Sequence, residues 1–203
     1  MSAVYVLVGL VGYLLGSINF AIIICKRIAG IDIRDKGSKN AGTTNVLRTV
    51  GKKAAAMTLI CDILKGVVAV LIAMLAAWIW DDSDPETLKY LAALMAIIGH
   101  TFPIYYGFRG GKGVATSLGA MLVVNPQIGL ICLVFALIII IATRWVSLGS
   151  ILAATLFPIL TVFMVDSFGA KVVSILMALL VIFNHRANLK RLREGTENKI
   201  SFK

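Results

Sequence analysis

Apolar runs of roughly bilayer length alternate along this chain with short polar segments. A helix crosses the hydrocarbon core in about 20 apolar residues, with a range of about 17–25. On that scale the pattern predicts spans at Val4–Cys25, Ala54–Trp80 and Leu88–Tyr105. Val114–Val124 is shorter, and Asn125-Pro126 separates it from Ile128–Thr143, so this stretch reads either as one long bent helix or as two helices joined by a turn. Val146–Val165 and Ala170–Asn184 complete the series. The first run has no basic flank and no small-residue cleavage site, and it exceeds the roughly 7–15 residues of a signal core, which predicts a retained helix. Neither a fixed-period nor an inverted repeat is visible. The expectation is a single domain over residues 1–203, with a short basic tail over 186–203.

Loop charge decides the open count. The first connection holds Lys26, Arg27, Arg34, Lys36, Lys39, Arg48, Lys52 and Lys53, whereas the next is acidic at Asp81, Asp82, Asp84 and Glu86. With seven spans and the N-terminus outside, that basic loop, Arg109 with Lys112, Arg144, and the tail cations Arg186, Lys190, Arg191, Arg193, Lys199 and Lys203 share the inner side. Only Lys89 and Lys171 fall outside, and Lys65 lies within a span. A single crossing over 114–143 would separate Arg144 from the cations before it, so the positive-inside rule favours seven. The predicted fold is therefore all-α: a polytopic integral membrane helix bundle of seven transmembrane helices with a cytoplasmic C-terminus.

Composition agrees. Hydrophobic residues make up 59% of the chain and charged ones 15%, against about a quarter charged in soluble domains. The formal charge of +10 belongs to inner loops, and no basic face on a soluble fold remains for nucleic acid. Cys25, Cys61 and Cys132 are odd in number and lack CxxC spacing, which argues against both a disulfide framework and a zinc site.

The predicted topology gathers three polar segments on one side. Gly37–Arg48 (GSKNAGTTNVLR) packs hydroxyls, amides and cations between glycines: Ser38, Asn40, Thr44, Asn45 and Arg48 suit a polyoxygenated anion, with the guanidinium forking onto phosphate. Gly110-Gly111-Lys112-Gly113 runs straight into an apolar helix, whose N-terminal amides and dipole favour phosphate. It is not a Walker A loop, because Tyr106 stands at the first glycine position and Gly113 follows the lysine. In the third segment His185 and Asn188 share a helix face, with Glu197 beyond. At membrane depth, Asp62 and Lys65 form an i, i+3 pair, and His100 reads as a satisfied core histidine. No HExxH, metal-spaced histidine cluster or GxSxG elbow is present, so no metal or organic cofactor is implied.

In order and spacing these segments resemble the bacterial acyl-phosphate-dependent glycerol-3-phosphate acyltransferase family, whose pattern runs GSGNPGATNVLR, then GGKGVAT, then HxxNxxRLxxGxExK. The counterparts here are Gly37–Arg48, Gly110–Thr116 and His185–Lys199; Tyr13–Ser17, Asp62–Gly66 and Gly99-His100 also look like family features. Lys39, Ala41 and Thr43 depart from the usual Gly, Pro and Ala. The resemblance implies transfer of a fatty acyl group from acyl phosphate to the first hydroxyl of glycerol 3-phosphate, giving lysophosphatidate and inorganic phosphate, the first step of phospholipid biosynthesis. It implies Ser38, Arg48, Lys112, His185 and Asn188 as catalytic residues, with Asn40, Thr44, Asn45, Gly110, Gly111, Gly113 and Glu197 binding substrate; Ser147, in the Arg144–Gly149 loop on the same side, is expected to join them and close the site. It further implies direct transfer without an acyl-enzyme, a site at the cytoplasmic face of a bacterial plasma membrane, contact with membrane lipids, and coupling to an acyl-phosphate-forming enzyme. A permease for a phosphorylated metabolite is the alternative; it needs a second polar mouth, and the outer connections are short and plain.

Overall fold

The computed structural model describes residues 2–80 and 84–200 and is helical throughout, with no strand among the described residues. Asp81, Asp82 and Lys203, part of the charge argument above, lie outside them. The helices are α1 (Ser2–Gly16), α2 (Phe20–Ala29), α3 (Thr43–Thr49), α4 (Lys52–Ile79), α5 (Pro85–Thr101), α6 (Val114–Val124), α7 (Pro126–Thr143), α8 (Val146–Met164), α9 (Phe168–Asn184) and α10 (Arg186–Arg193), with single 3-10 turns at Ile33–Asp35 and Ile104–Tyr106. Five stretches are long and apolar enough to cross a bilayer: Ala3–Ala29, Lys52–Ile79, Pro85–Tyr106, Pro126–Thr143 and Val146–Met164. The α9–α10 pair makes a sixth if counted as one span bent by 57°. The chain is thus a multi-pass membrane protein, and its outer surface suits lipid: Val6, Trp78, Phe163 and Phe168 are 70–83% exposed.

The 114–143 stretch consists of two helices. Asn125 caps α7 by accepting from the Ile128 amide at 3.1 Å, and Pro126 takes the first helical position, where its missing N–H costs nothing. A Cβ on Gly129 would lie 2.9 Å from Leu122 N. In one continuous helix seven residues span about 10 Å, so α7 folds back along α6.

α5 sits at the centre, in contact with α1, α4, α6 and α9. Lipid tails are as apolar as leucine, so helices in a bilayer associate through close packing of small residues. Two reciprocal glycine pairs do this here. A Cβ on Gly16 would fall 2.1 Å from Ala96 O, and one on Gly99 would fall 2.2 Å from Tyr13 O, joining α1 to α5. A Cβ on Gly66 would fall 2.3 Å from Thr116 O, and one on Gly119 would fall 2.1 Å from Ile63 O, joining α4 to α6.

The first predicted span is one crossing in length but two helices in structure. It breaks at Ser17–Asn19, where Ser17 Oγ donates to Tyr13 O at 2.8 Å and Asn19 Oδ1 accepts from Ile22 N at 3.1 Å. The break frees the carbonyls of Gly16 and Ile18 inside the bundle, where an unpaired carbonyl is costly. Lys65 of α4 satisfies both: its Nζ donates to Gly16 O at 3.0 Å and to Ile18 O at 2.7 Å. The same nitrogen lies 2.9 Å from Asp62 Oδ1 and 2.9 Å from His100 Nδ1. The three ammonium protons are thus shared among two backbone carbonyls, the Asp62 carboxylate and the His100 ring.

Removing one member of a fully buried ion pair typically costs about 3–5 kcal/mol. Lys65→Met should therefore lower the thermal midpoint in detergent sharply, since it strands the Asp62 charge and two carbonyls together. An unchanged midpoint would show that the junction does not depend on the amine.

Candidate active site

The segment after α5 is built on the end of that helix. Gly110 N donates to Thr101 O and Gly111 N to His100 O, both at 3.1 Å. The approach is too close for any other residue: a Cβ on Gly110 would meet His100 O at 2.0 Å, and one on Gly111 would meet His100 Nε2 at 2.2 Å and Ala41 O at 2.5 Å. The amides of Gly110 and Gly111, which the sequence offers as phosphate donors, are therefore committed to α5. The groups of this segment left free of α5 are Lys112, Gly113 and the first turn of α6. Gly113 has φ +83, no side chain caps the helix, and the first bond of α6 is Ser117 N to Gly113 O at 2.7 Å. Such an N-terminus points its free amides and positive dipole end outward.

The Gly37–Arg48 loop is organised by Asn45, which is 2% exposed. Its Oδ1 accepts from Ser38 N at 2.9 Å, and its Nδ2 faces the carbonyls of Ile33, Lys36 and Asn40 at 3.2, 3.0 and 3.0 Å. An amide so fully occupied shapes the loop and is not free for ligand. Ser38 and Arg48 are exposed, while Asn40 and Thr44 are half-buried. Contact between Ala41 and Gly111 sets this loop against the glycine segment, and Arg34 Nη1 ties it to Tyr106 O at 2.7 Å.

The third segment closes the site through Glu197. The chain bends at His185, between α9 and α10, and the His185 Nδ1–H donates to Val181 O at 2.8 Å, leaving Nε2 as the acceptor of the neutral ring. Asn188 accepts from Lys112 Nζ through Oδ1 and donates through Nδ2 to Glu197 Oε1 at 2.6 Å. Ser147 Oγ donates to the same oxygen at 2.7 Å, and Arg191 Nε donates to Oε2 at 2.7 Å. The tail is pinned beside them: Trp145 Nε1 donates to Glu197 O at 3.2 Å, Ile200 N to Arg144 O at 2.8 Å, and Arg48 Nη2 to Asn198 O at 3.2 Å.

Lys112, Asn188, Ser147 and Glu197 thus form one hydrogen-bonded chain, with Arg48 joined through the tail and His185 at the adjoining bend. Burial pulls the Lys112 ammonium down to about 8; Glu197 opposes this, while Arg191 and Arg48 add to it. Burial pushes the Glu197 carboxyl up, but hydrogen bonds from Ser147, Asn188 and Arg191 together hold it below the usual range. The result is a cationic pocket balanced by one carboxylate. Among the described residues no group of three or more His, Cys, Asp or Glu side chains is placed to hold a metal ion.

Beneath this polar layer, α6 to α9 line a partly open apolar cavity. Its rim includes Val114 and Val146, which adjoin Gly113 and Ser147 along the chain, and Val181, whose carbonyl accepts from His185 Nδ1 one turn on. Sequence reasoning missed the cavity and gave no individual role to Arg191, which stands in the third motif, to Trp145, or to Asn184, whose Nδ2 donates to Thr101 Oγ1 at 3.1 Å. The motif HxxNxxRLxxGxExK, in which Arg191 and Glu197 both stand, was the available signal for Arg191.

Comparison with known proteins agrees with this geometry. The family described as Glycerol-3-phosphate acyltransferase matches residues 6–195. A glycerol-3-phosphate acyltransferase of Clostridioides difficile (strain 630) is 51% identical over 199 residues, covering 98% of this chain and 97% of the relative. One from Halalkalibacterium halodurans is 45% identical over 195 residues, covering 94% and 93%. The crystal structure of PlsY (YgiH), an integral membrane glycerol 3-phosphate acyltransferase, in its glycerol 3-phosphate form superposes with a TM-score of 0.88 at 36% identity, covering 97% of this chain and 96% of that one. The lysophosphatidic acid form gives 0.86 at 35%, covering 97% and 95%. With the three polar segments converging on one site, the chain belongs to the glycerol-3-phosphate acyltransferase family of integral membrane enzymes.

Proposed function

We propose that the chain transfers a fatty acyl group from acyl phosphate to the first hydroxyl of glycerol 3-phosphate, releasing 1-acylglycerol 3-phosphate and inorganic phosphate. The observation that carries this is a cationic cluster around Lys112 at the rim of an apolar cavity, which matches a donor with a charged head and an acyl tail. The donor phosphate binds Lys112, the Gly113 amide and the first turn of α6, and the acyl chain enters between α6 and α9. Ser38, Arg48, His185 and Asn188 hold glycerol phosphate, with Asn40, Thr44 and Ser147 beside them. Asn45, Gly110, Gly111 and Glu197 act through the shape and charge of the site.

In the transfer, the glycerol hydroxyl oxygen attacks the acyl carbon while the bond from that carbon to the phosphate oxygen breaks. The hydroxyl proton passes to a phosphate oxygen of the donor and leaves with inorganic phosphate. No acyl-enzyme forms, because the donor is already activated and the protein contributes positioning and charge. An acyl-phosphate-forming enzyme supplies the donor.

The same reading places seven helices across a bacterial cytoplasmic membrane, with the N-terminus outside and the site and C-terminus at the cytoplasmic face. α6 spans about 16 Å at 1.5 Å per residue, roughly half the hydrocarbon, which sinks the glycine segment below the membrane surface. In a background free of the native cysteines, Lys53→Cys should react with an impermeant maleimide only from inside, and Lys171→Cys only from outside. Labelling of both from one side contradicts the topology.

Lys112→Ala should reduce transfer about 10²–10³-fold without lowering the thermal midpoint; turnover like the unmodified protein would remove Lys112 from the site. The charged amine is the anion binder, and its folded pKa is about 8. Accordingly kcat/KM, which reports the free enzyme, should fall as pH rises through about 8, and Lys112→Arg should move that limb to higher pH. A limb that stays in place in the arginine variant assigns the ionisation to another group.

A further inference from the structure

The cavity beneath the site has a consistent depth order on its walls. α6 and α8 descend from the rim residues Val114 and Val146 to Met121 and Phe157, and α9, running the other way, passes Met177 before it reaches Val181. The deep end is thus lined by Met121, Phe157 and Met177. From Val146 to Phe157 the wall is about 16 Å long at 1.5 Å per residue, the length of roughly a dozen methylenes in an extended chain.

Two of the three deep residues are flexible thioethers, which adjust to the end of an alkyl chain. Phe157 is different. Its ring stacks on that of Tyr90, with centroids 6.0 Å apart and planes inclined by 18°. Tyr90 belongs to the central helix α5 and is fully buried, and Phe157 is itself 3% exposed. A ring backed by a second, immobile ring has nowhere to swing, so it forms a fixed wall where the neighbouring methionines yield.

We propose that Phe157, held against Tyr90, sets the longest acyl chain the enzyme accepts, by closing the deep end of the α6–α9 cavity. The inference rests on the assignment of acyl phosphate as donor. Phe157 touches only the terminal carbons of the chain and is remote from the reacting atoms. Its substitution therefore alters the choice among donors and leaves the transfer chemistry intact.

The test compares kcat/KM for lauroyl, palmitoyl and stearoyl phosphate with glycerol 3-phosphate, in the unmodified protein, in Phe157→Ala and in Ala154→Leu. Ala154 lines the same cavity one turn nearer the rim. Ratios between donors cancel any difference in the amount of folded enzyme, so a poorly folding variant does not imitate the effect. Phe157→Ala should raise the stearoyl-to-lauroyl ratio at least about fivefold, and Ala154→Leu should lower it by a similar factor, in keeping with about tenfold discrimination per methylene in apolar pockets. Unchanged ratios in both variants, with the unmodified protein active, overturn the proposal alone and mean that the chain leaves sideways into lipid. No transfer from any donor by the unmodified protein overturns it together with the donor assignment.

Discussion

The structure turns on one ammonium group inside the membrane. Lys65 reaches from α4 to two carbonyls that exist as free acceptors only because the first span is broken, and it carries Asp62 as its counter-ion. Without the break the amine would have too few partners; without the amine the break would leave two carbonyls unpaired in a water-poor interior. The third neighbour, His100, extends the arrangement to α5. From there the His100 carbonyl fixes the Gly111 amide, and the His100 ring packs so tightly on Gly111 that no side chain fits. Lys112 follows directly. A buried ion pair thus fixes the height and direction of Lys112.

The site shows the complementary design. Its cations come from three different parts of the chain: Arg48 on α3, Lys112 before α6 and Arg191 on α10. They would repel one another without Glu197, whose carboxylate gathers Ser147, Asn188 and Arg191 and lies close enough to stabilise charged Lys112. Burial weakens the hold of Lys112 on its proton, and the Glu197 carboxylate partly restores it. Placing such groups above an apolar cavity keeps water scarce around them, and electrostatic interactions gain strength where the surroundings are less polar.

Much of this was legible in the sequence. Hydropathy located the five stretches that are long and apolar enough to cross and the bent α9–α10 pair, and Asn125-Pro126 marked the turn that separates α6 from α7. The three polar segments were identified as one site from loop charge and motif spacing. The break at Ser17–Asn19 was not seen, because two small polar residues in a long apolar run do not outweigh its average. Asp62 and Lys65 were singled out as a pair, but the backbone carbonyls that complete their shell have no sequence signature. The same holds for Gly110, Gly111 and Asn45. Each has the residue type a ligand site uses, and only the fold shows that their amides already serve α5 and the first loop. The cavity is invisible in sequence for a related reason: its lining residues look like any lipid-facing residue until four helices are packed together.

The most direct test of the account is to purify the protein, supply palmitoyl phosphate and glycerol 3-phosphate without nucleotides or added metal, and follow phosphate release and acyl product together. The account predicts phosphate release that depends strictly on glycerol 3-phosphate and matches 1-acylglycerol 3-phosphate one for one. Folded protein that binds glycerol 3-phosphate yet forms no acyl product from this donor would contradict it.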